Sequence, residues 1–137
     1  MGRNLAVDLG SRRVGLAVTD PLRMLASPLS GVPYSGEEAL VRDLLRLAAE
    51  KGVDRVVVGL PLREDGTEAE GCRRARRLAR RLQGAGLAAV LWDERYSSRE
   101  ARSALREMGV SGRRAGGRVD PLAAALILRD YLASSGE

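Results

Sequence analysis

Apolar residues recur along the chain in two patterns, and each pattern predicts a different element. Short apolar runs bounded by glycine, proline or charged residues predict strands, whereas apolar residues that return every three or four positions predict helices. The order is three strands, then helix, strand, helix, strand and two helices, which predicts a mixed α/β sheet with helices on both faces. The strands are expected at residues 5–8, 14–19, 29–32, 53–60 and 87–92.

The predicted helices are marked by their starts and stops. Ser/Thr-x-x-Glu sequences are typical of N-terminal capping boxes, and three of them precede apolar stretches. Glycines such as Gly52 and Gly84 are expected to end helices, because glycine readily adopts the left-handed conformation that closes one. The capping boxes lie at residues 35–38, 67–70 and 97–100.

The last part of the chain predicts a loop and a final helix. Residues 111–117 are rich in glycine and arginine and are expected to form a mobile basic loop. The last helix is expected over residues 120–132, with Pro121 at the first helical position, where its missing N–H is tolerated. We therefore expect one domain over residues 1–133 and a frayed tail over residues 134–137.

The composition restricts the possible chemistry. The sequence of 137 residues has no histidine and one cysteine, Cys72. An internal disulfide, a Ser-His-Asp triad and a histidine-ligated zinc site are therefore excluded. An enzyme of this composition has to work with carboxylates, hydroxyls, arginines or a bound metal ion.

The charge is carried almost entirely by arginine. There are 23 basic and 18 acidic residues, for a net charge of +5, and Lys51 is the only lysine. Arginine binds phosphate groups through two parallel hydrogen bonds, so this balance favours a nucleic-acid partner, although genome base composition explains it equally well. The sequence has neither a run of eighteen apolar residues nor an export leader, so we expect a cytoplasmic protein without a membrane segment.

Acidic residues stand at the ends of two predicted strands and at the start of the last helix. Asp8 ends the first strand, Asp93 and Glu94 stand at the end of the last strand, and Asp120 precedes Pro121. The carboxyl ends of parallel strands border the functional crevice of α/β sheets, so these acids form a candidate cluster. Oxygen ligands alone suit Mg²⁺ or Mn²⁺.

Each of these acids also has a structural interpretation. Asp8 could shape a turn, Asp93 or Glu94 could pair with Arg95, and Asp120 could be a helix N-cap. Alternation along the strand points Asp93 and Glu94 to opposite faces, and Glu94, nearer the strand end, is favoured as the ligand with Asp93 as the alternate.

Four motifs in order resemble the YqgF (RuvX) family. The resemblance extends from about residue 3 to residue 132. The motifs are Asp-Leu-Gly-Ser-Arg-Arg-Val-Gly-Leu-Ala-Val-Thr-Asp at 8–20, Val-Gly-Leu-Pro-Leu at 58–62 with Asp-Gly-Thr at 65–67, Asp-Glu-Arg at 93–95 with Ser-Ser at 97–98, and Asp120 with the apolar pairs at 123–124, 127–128 and 131–132.

This resemblance implies an RNase H-like fold related to the RuvC resolvases. The sheet would have five strands, with strands 1, 2 and 3 antiparallel and strands 1, 4 and 5 parallel. The implied activity is that of a divalent-metal nuclease processing the 5′ end of the 16S ribosomal RNA precursor, and some members have been named as Holliday-junction resolvases. The family's acidic positions fall on Asp8, Glu94 and Asp120, and the resemblance implies that these three are catalytic and metal-binding.

The arginines divide into groups by position. We expect residues next to the acids and in the glycine-rich loop to bind nucleic acid. The arginines of the helix over residues 72–82 are either a solvated face or a path for RNA backbone. The expected nucleic-acid-binding residues are Arg12, Arg13, Arg95, Arg113, Arg114 and Arg118.

Two other functions fit the same residues. A DNA endonuclease acting on Holliday junctions, or on branched or single-stranded DNA, would use the same acids, but a junction resolvase should be a stable two-fold dimer. A non-catalytic RNA-binding assembly factor would need the arginines and not Asp8. We expect RNA as the main partner, with the chain a monomer or weak homodimer.

Overall fold

The structure is a computed structural model that describes residues 2–10, 12–63, 65–68, 71–93 and 116–135, with the side chains of the last range described for residues 123–134. The helix predicted after residue 97 lies outside these residues. The strands are β1 (Arg3–Leu9), β2 (Arg13–Thr19), β3 (Ala26–Pro33), β4 (Val53–Leu60) and β5 (Ala88–Asp93), and the helices are α1 (Glu37–Lys51), α2 (Gly71–Gly84) and α3 (Gly116–Ser135).

The strands form one mixed sheet in the order β3-β2-β1-β4-β5. β1 pairs antiparallel with β2, and β2 with β3, while β1 pairs parallel with β4, and β4 with β5. Short turns join the antiparallel strands, and the parallel strands are joined through α1 and α2 because a parallel pair needs a crossover. The predicted sheet is therefore confirmed, with β1 at its centre.

Alternation along the strands gives the sheet two different apolar faces. The face under α1 and α2 carries Leu5 and Val7 of β1, together with branched residues of β2 and β4. The face under α3 carries the smaller Ala6 and Ala17, and Leu128 of α3 packs there. Small residues on this second face let α3 lie close to the sheet.

The arginine-rich helix α2 is amphipathic as predicted. Arginines occupy most of its remaining positions, so the helix presents its charge away from the core. All the residues expected on its apolar stripe are buried, namely Cys72, Ala75, Leu78, Ala79 and Leu82.

The predicted capping box of the first helix is wrong, and part of the second, residues 69 and 70, lies outside the described residues. Gly36, not Ser35, is the N-cap of α1, and no side chain caps this helix. The hydroxyl of Thr67 instead donates to the Asp65 carboxylate at 2.6 Å, which stabilises a turn before α2 and holds the pKa of Asp65 below its usual range. The Thr67 side chain thus bonds locally in a turn, which competes with capping. Gly52 ends α1 in the left-handed conformation, as predicted.

The last helix differs from the prediction at both ends. It begins at Gly116 and ends at Ser135, so it includes two residues of the predicted loop and two of the predicted tail. Pro121 therefore lies inside the helix and not at its first position. Proline lacks an N–H, so one helical hydrogen bond is missing there, and the apolar face from Ala124 to Tyr131 holds the helix on the sheet.

The outer strand and its turn complete the fold. β3 contains Pro28 and Pro33 and is half exposed, as expected of an edge. In the turn before it, the backbone N–H groups of Met24 and Leu25 donate to Asp20 Oδ1 at 2.8 and 2.7 Å. No helix within the described ranges is long and apolar enough to cross a membrane.

Candidate functional site

Asp8 lies at the carboxyl end of β1, the central strand of the sheet. Leu5 and Val7 belong to the core under α1 and α2, whereas Ala6 belongs to the core under α3. Alternation therefore places Asp8 on the α3 face. The residue is half-buried, so its carboxylate is next to the core without being enclosed by it.

Glycines occupy the positions beside Asp8 on both neighbouring strands. Asp8 pairs with Gly15 of β2, and because Val7 pairs with Val58, the next position along β4 beside Asp8 is Gly59. Both glycines lie on the α3 face, since each is two residues from an alanine or valine of that core. Neither neighbouring strand therefore places a side chain directly beside the carboxylate.

An aromatic pair anchors α3 over the same face. Trp92 of β5 pairs with Gly59, so it lies at the level of Asp8 two strands away. Its ring meets Tyr131 of α3 edge to face, with ring centroids 5.6 Å apart. The Tyr131 hydroxyl accepts a hydrogen bond from Arg55 Nη1 at 3.0 Å. These contacts stabilise the position of α3 relative to the strands that flank Asp8.

The loop between β1 and β2 presents two arginines close to Asp8 in sequence. The Gly10 N–H donates to the Arg13 carbonyl at 3.0 Å, and the Tyr34 N–H donates to the Arg12 carbonyl at 2.8 Å. Arg12 and Arg13 are exposed, and neither has an acidic partner among the described residues. Their backbone is therefore held in place at the end of β1, and their predicted role in binding phosphate stays a prediction.

Arg74 of α2 also holds this loop, and sequence reasoning missed it. Its Nη1 donates to the Gly10 carbonyl at 3.1 Å, and its guanidinium lies 4.5 Å from the centre of the Tyr34 ring. The sequence predicts that the arginines of this helix form either a solvated face or a path for RNA backbone, with none of them holding a loop. The available signal was the position of Arg74 four residues before the buried Leu78, which puts it at the edge of the apolar stripe.

The other predicted acids are placed only in part. Asp93 ends β5 and lies two residues after Leu91, whose side chain packs in the core under α1 and α2. Because side chains two apart share a face of a strand, Asp93 lies on the α1/α2 face, opposite Asp8. Within the described ranges, no three His, Cys, Asp or Glu side chains are close enough together to bind a metal ion. Asp120 and Arg118 belong to α3, but their side chains, like the residues Glu94, Arg95, Arg113 and Arg114, lie outside the described part of the chain.

The family model for RuvX, described as Holliday junction resolvase, matches residues 2–134. The chain belongs to the RuvX family. A relative from Anaeromyxobacter dehalogenans (strain 2CP-C) is 47% identical over 131 residues, which covers 95% of this RuvX chain and 96% of the relative. A relative from Nitrosospira multiformis is 44% identical and covers 95% of this chain and 87% of its own. Both are named "Putative pre-16S rRNA nuclease".

Solved structures agree on the fold of this RuvX chain. Thermus thermophilus RuvC superimposes with a TM-score of 0.57 at 16% identity, covering 98% of this chain and 96% of RuvC. The fowlpox virus Holliday junction resolvase has a TM-score of 0.55 at 10% identity, covering 96% of this chain and 98% of its own. The RuvX chain is thus a nuclease with an RNase H-like fold, as its sequence motifs predict.

Proposed function

We propose that this RuvX chain is a divalent-metal-dependent nuclease that cuts RNA during 5′-end processing of the 16S rRNA precursor. The observation that carries the proposal is the environment of Asp8. This carboxylate ends the central strand between Gly15 and Gly59, and the exposed Arg12 and Arg13 follow it. The substrate assignment is supported by relatives of nearly equal length, which are named as nucleases of this RNA.

The ligands of the metal ion are proposed to be Asp8, Glu94 and Asp120. Position 94 is two residues after Trp92 and four after Val90 in the sequence, and both of those side chains lie on the α3 face with Asp8. Position 120 belongs to α3 and stands four residues before the buried Ala124, the spacing of positions that share one helix face. An all-oxygen donor set beside two glycines fits Mg²⁺ or Mn²⁺. When bound, such an ion activates water and offsets negative charge on phosphate.

The arginines of the chain are proposed to hold the RNA during the reaction. Arg12 and Arg13 would bind phosphate oxygens next to the scissile bond, because their loop is fixed to α2 and to β3 at the end of β1. Their charge would stabilise the additional negative charge that develops on the phosphoryl group as water attacks. Further phosphate contacts are proposed for Arg95, Arg113, Arg114 and Arg118.

The proposed substrate also suggests where and in what form the protein acts. Ribosomal RNA precursors are processed in the cytoplasm of bacteria, so we place the activity there. Cutting one strand at one end needs a single copy of the site, whereas symmetric cutting of a junction needs two. A monomer or weak homodimer is therefore sufficient for the proposed function.

The test is cleavage of a 5′-extended 16S precursor RNA fragment by the wild type and Asp8→Asn, with Mg²⁺, Mn²⁺ or EDTA. A four-way DNA junction is assayed in parallel because the family description favours it as a second substrate. We expect metal-dependent cutting of the RNA by the wild type and none by Asp8→Asn. Cutting of the junction alone would overturn the substrate assignment and keep the site. Binding of RNA without cutting would show a non-catalytic assembly factor.

A further inference from the structure

Helix α2 carries more positive charge than its acidic neighbours neutralise. Its arginines are not equivalent, because ion pairs and hydrogen bonds engage some of them. Arg76 pairs with Glu68, Arg77 with Glu37 at 3.2 Å, and Arg81 with Glu38 at 3.8 Å, while Arg74 donates to the Gly10 carbonyl. These four arginines have partners in the fold.

The two remaining arginines of α2 are Arg73 and Arg80. Both are exposed, and neither makes an ion pair or side-chain hydrogen bond with any described residue. They lie seven residues apart, two helical turns, so they share one face of the helix about 10 Å apart. Arg77 lies between them on that face, and its exposed guanidinium pairs with the half-buried Glu37.

This face of α2 starts at the edge of the sheet that carries Asp8. The Cys72 thiol donates to the carbonyl of Pro61, the residue after β4, at 3.5 Å. Arg74 reaches Gly10, the residue after β1, from the same turn of the helix. The first turn of α2 therefore adjoins the loop with Arg12 and Arg13, and the helix continues away from it on the other side of the sheet.

We infer that Arg73, Arg77 and Arg80 form a second RNA-binding surface, here called the α2 arginine face, which binds the phosphate backbone of RNA flanking the cut. This inference rests on the proposed function for its substrate. A polyanionic strand is the partner that matches a row of arginines along one helix face, since backbone binding needs charge and no base contacts. RNA that leaves the site past Arg12 and Arg13 would meet this face next.

The α2 arginine face is tested by RNA binding in EDTA, where catalysis plays no part. The probe is the 5′-extended 16S precursor fragment, titrated at several salt concentrations. The test variant is Arg73→Gln/Arg80→Gln, and the matched control is Arg42→Gln/Arg46→Gln, which removes the same charge from the exposed side of α1. Glutamine has a helix propensity close to that of arginine, so both variants should fold.

The test variant should bind the RNA on the order of tenfold more weakly at moderate salt, with the control close to wild type. The slope of log affinity against log salt should fall by about 1.4, because each phosphate contact contributes about 0.7 for a single strand. Cleavage should show a raised KM with an unchanged kcat, since this binding is remote from the reaction.

Equal affinity of the test variant and wild type would overturn the inference. An equal loss in both double variants would also overturn it, because net charge alone would then explain the effect. Thermal unfolding checks that the variants are folded, and the single variants Arg73→Gln and Arg80→Gln replace the double one if it unfolds. If the proposed nuclease function is wrong, the wild type will not cleave the RNA. The binding experiment in EDTA does not depend on cleavage, so the two failures are distinguishable.

Discussion

Replacing Arg74 by methionine should destabilise the protein and loosen the loop that follows Asp8. Methionine keeps most of the apolar stem but loses the hydrogen bond to the Gly10 carbonyl and the contact with the Tyr34 ring. A hydrogen bond from a charged donor contributes about 1.5 to 3 kcal/mol, and a cation–π contact about 1 kcal/mol.

Part of this loss is offset by relief of a burial cost. The second terminal nitrogen of Arg74, Nη2, is buried without a partner among the described residues, and removing it recovers on the order of 1 kcal/mol. The net loss in the free energy of unfolding is therefore about 1.5 to 3 kcal/mol. In a domain of this size it corresponds to a decrease in Tm of about 5 to 10 °C.

The assay is urea unfolding of a double-mutant cycle made of Arg74→Met, Tyr34→Leu and the combined variant. Because the guanidinium lies over the ring, the two changes should couple by about 1 kcal/mol. Arg74→Lys is the control that keeps the charge and loses the planar group. A coupling energy near zero, or a wild-type stability for Arg74→Met, would refute the assigned role of Arg74.

Three further predictions follow from buried or locally bonded groups. Thr19→Val should lower the unfolding free energy by about 1 to 3 kcal/mol in urea, and Thr19→Ser by less, because the buried N–H of Asn4 donates to the threonine hydroxyl at 2.9 Å. Hydrogen bonds to the Asp20 carboxylate lower its pKa, and the largest effect comes from the backbone N–H of Leu25. Its stabilisation is thus present above about pH 4 and lost as the pH falls through the lowered pKa, so Tm values of wild type and Asp20→Asn should differ near neutral pH and converge in acid. Gly59→Val should reduce RNA cleavage at least tenfold in single-turnover assays while circular dichroism stays unchanged; full activity would show that the space beside Asp8 is not used.

The sheet could be predicted because its strands are apolar runs with clear ends. β4 has the bounds expected from sequence, Val53–Leu60, since a glycine precedes it and a proline follows it. The apolar stripe of α2 could also be predicted, because its apolar residues recur at helical spacing. Both signals come from burial, which the order of apolar and polar residues records directly.

The helix starts were less predictable because short polar side chains have several local partners. Ser35 and Thr67 fit a capping pattern, yet a glycine caps α1, and Thr67 bonds to Asp65. Pro121 suggested a helix start, but tertiary packing carries α3 through it. The contact between Arg74 and Gly10 could not be predicted from sequence, because it joins residues 64 positions apart.

The candidate site is predicted from sequence as a set of acids at strand ends, and of these acids the structure describes Asp8 and Asp93. Sequence alone selects Asp8, and the register of the sheet adds the two glycines beside it. Choosing between Asp93 and Glu94 depended on strand alternation, and the structure places Asp93 on the face opposite Asp8. The roles of Glu94 and Asp120 stay predictions.

The most direct test of the proposed site compares Glu94→Gln with Asp93→Asn in metal-dependent cleavage of the 16S precursor RNA. The two acids are adjacent in sequence, and each substitution removes one negative charge. Only Glu94 is proposed to share the face of the sheet that carries Asp8. We expect Glu94→Gln to lose at least about 100-fold in cleavage rate, since losing a metal ligand costs several kcal/mol, and Asp93→Asn to stay near wild type. An active Glu94→Gln variant, or an inactive but folded Asp93→Asn variant, would contradict the proposed site.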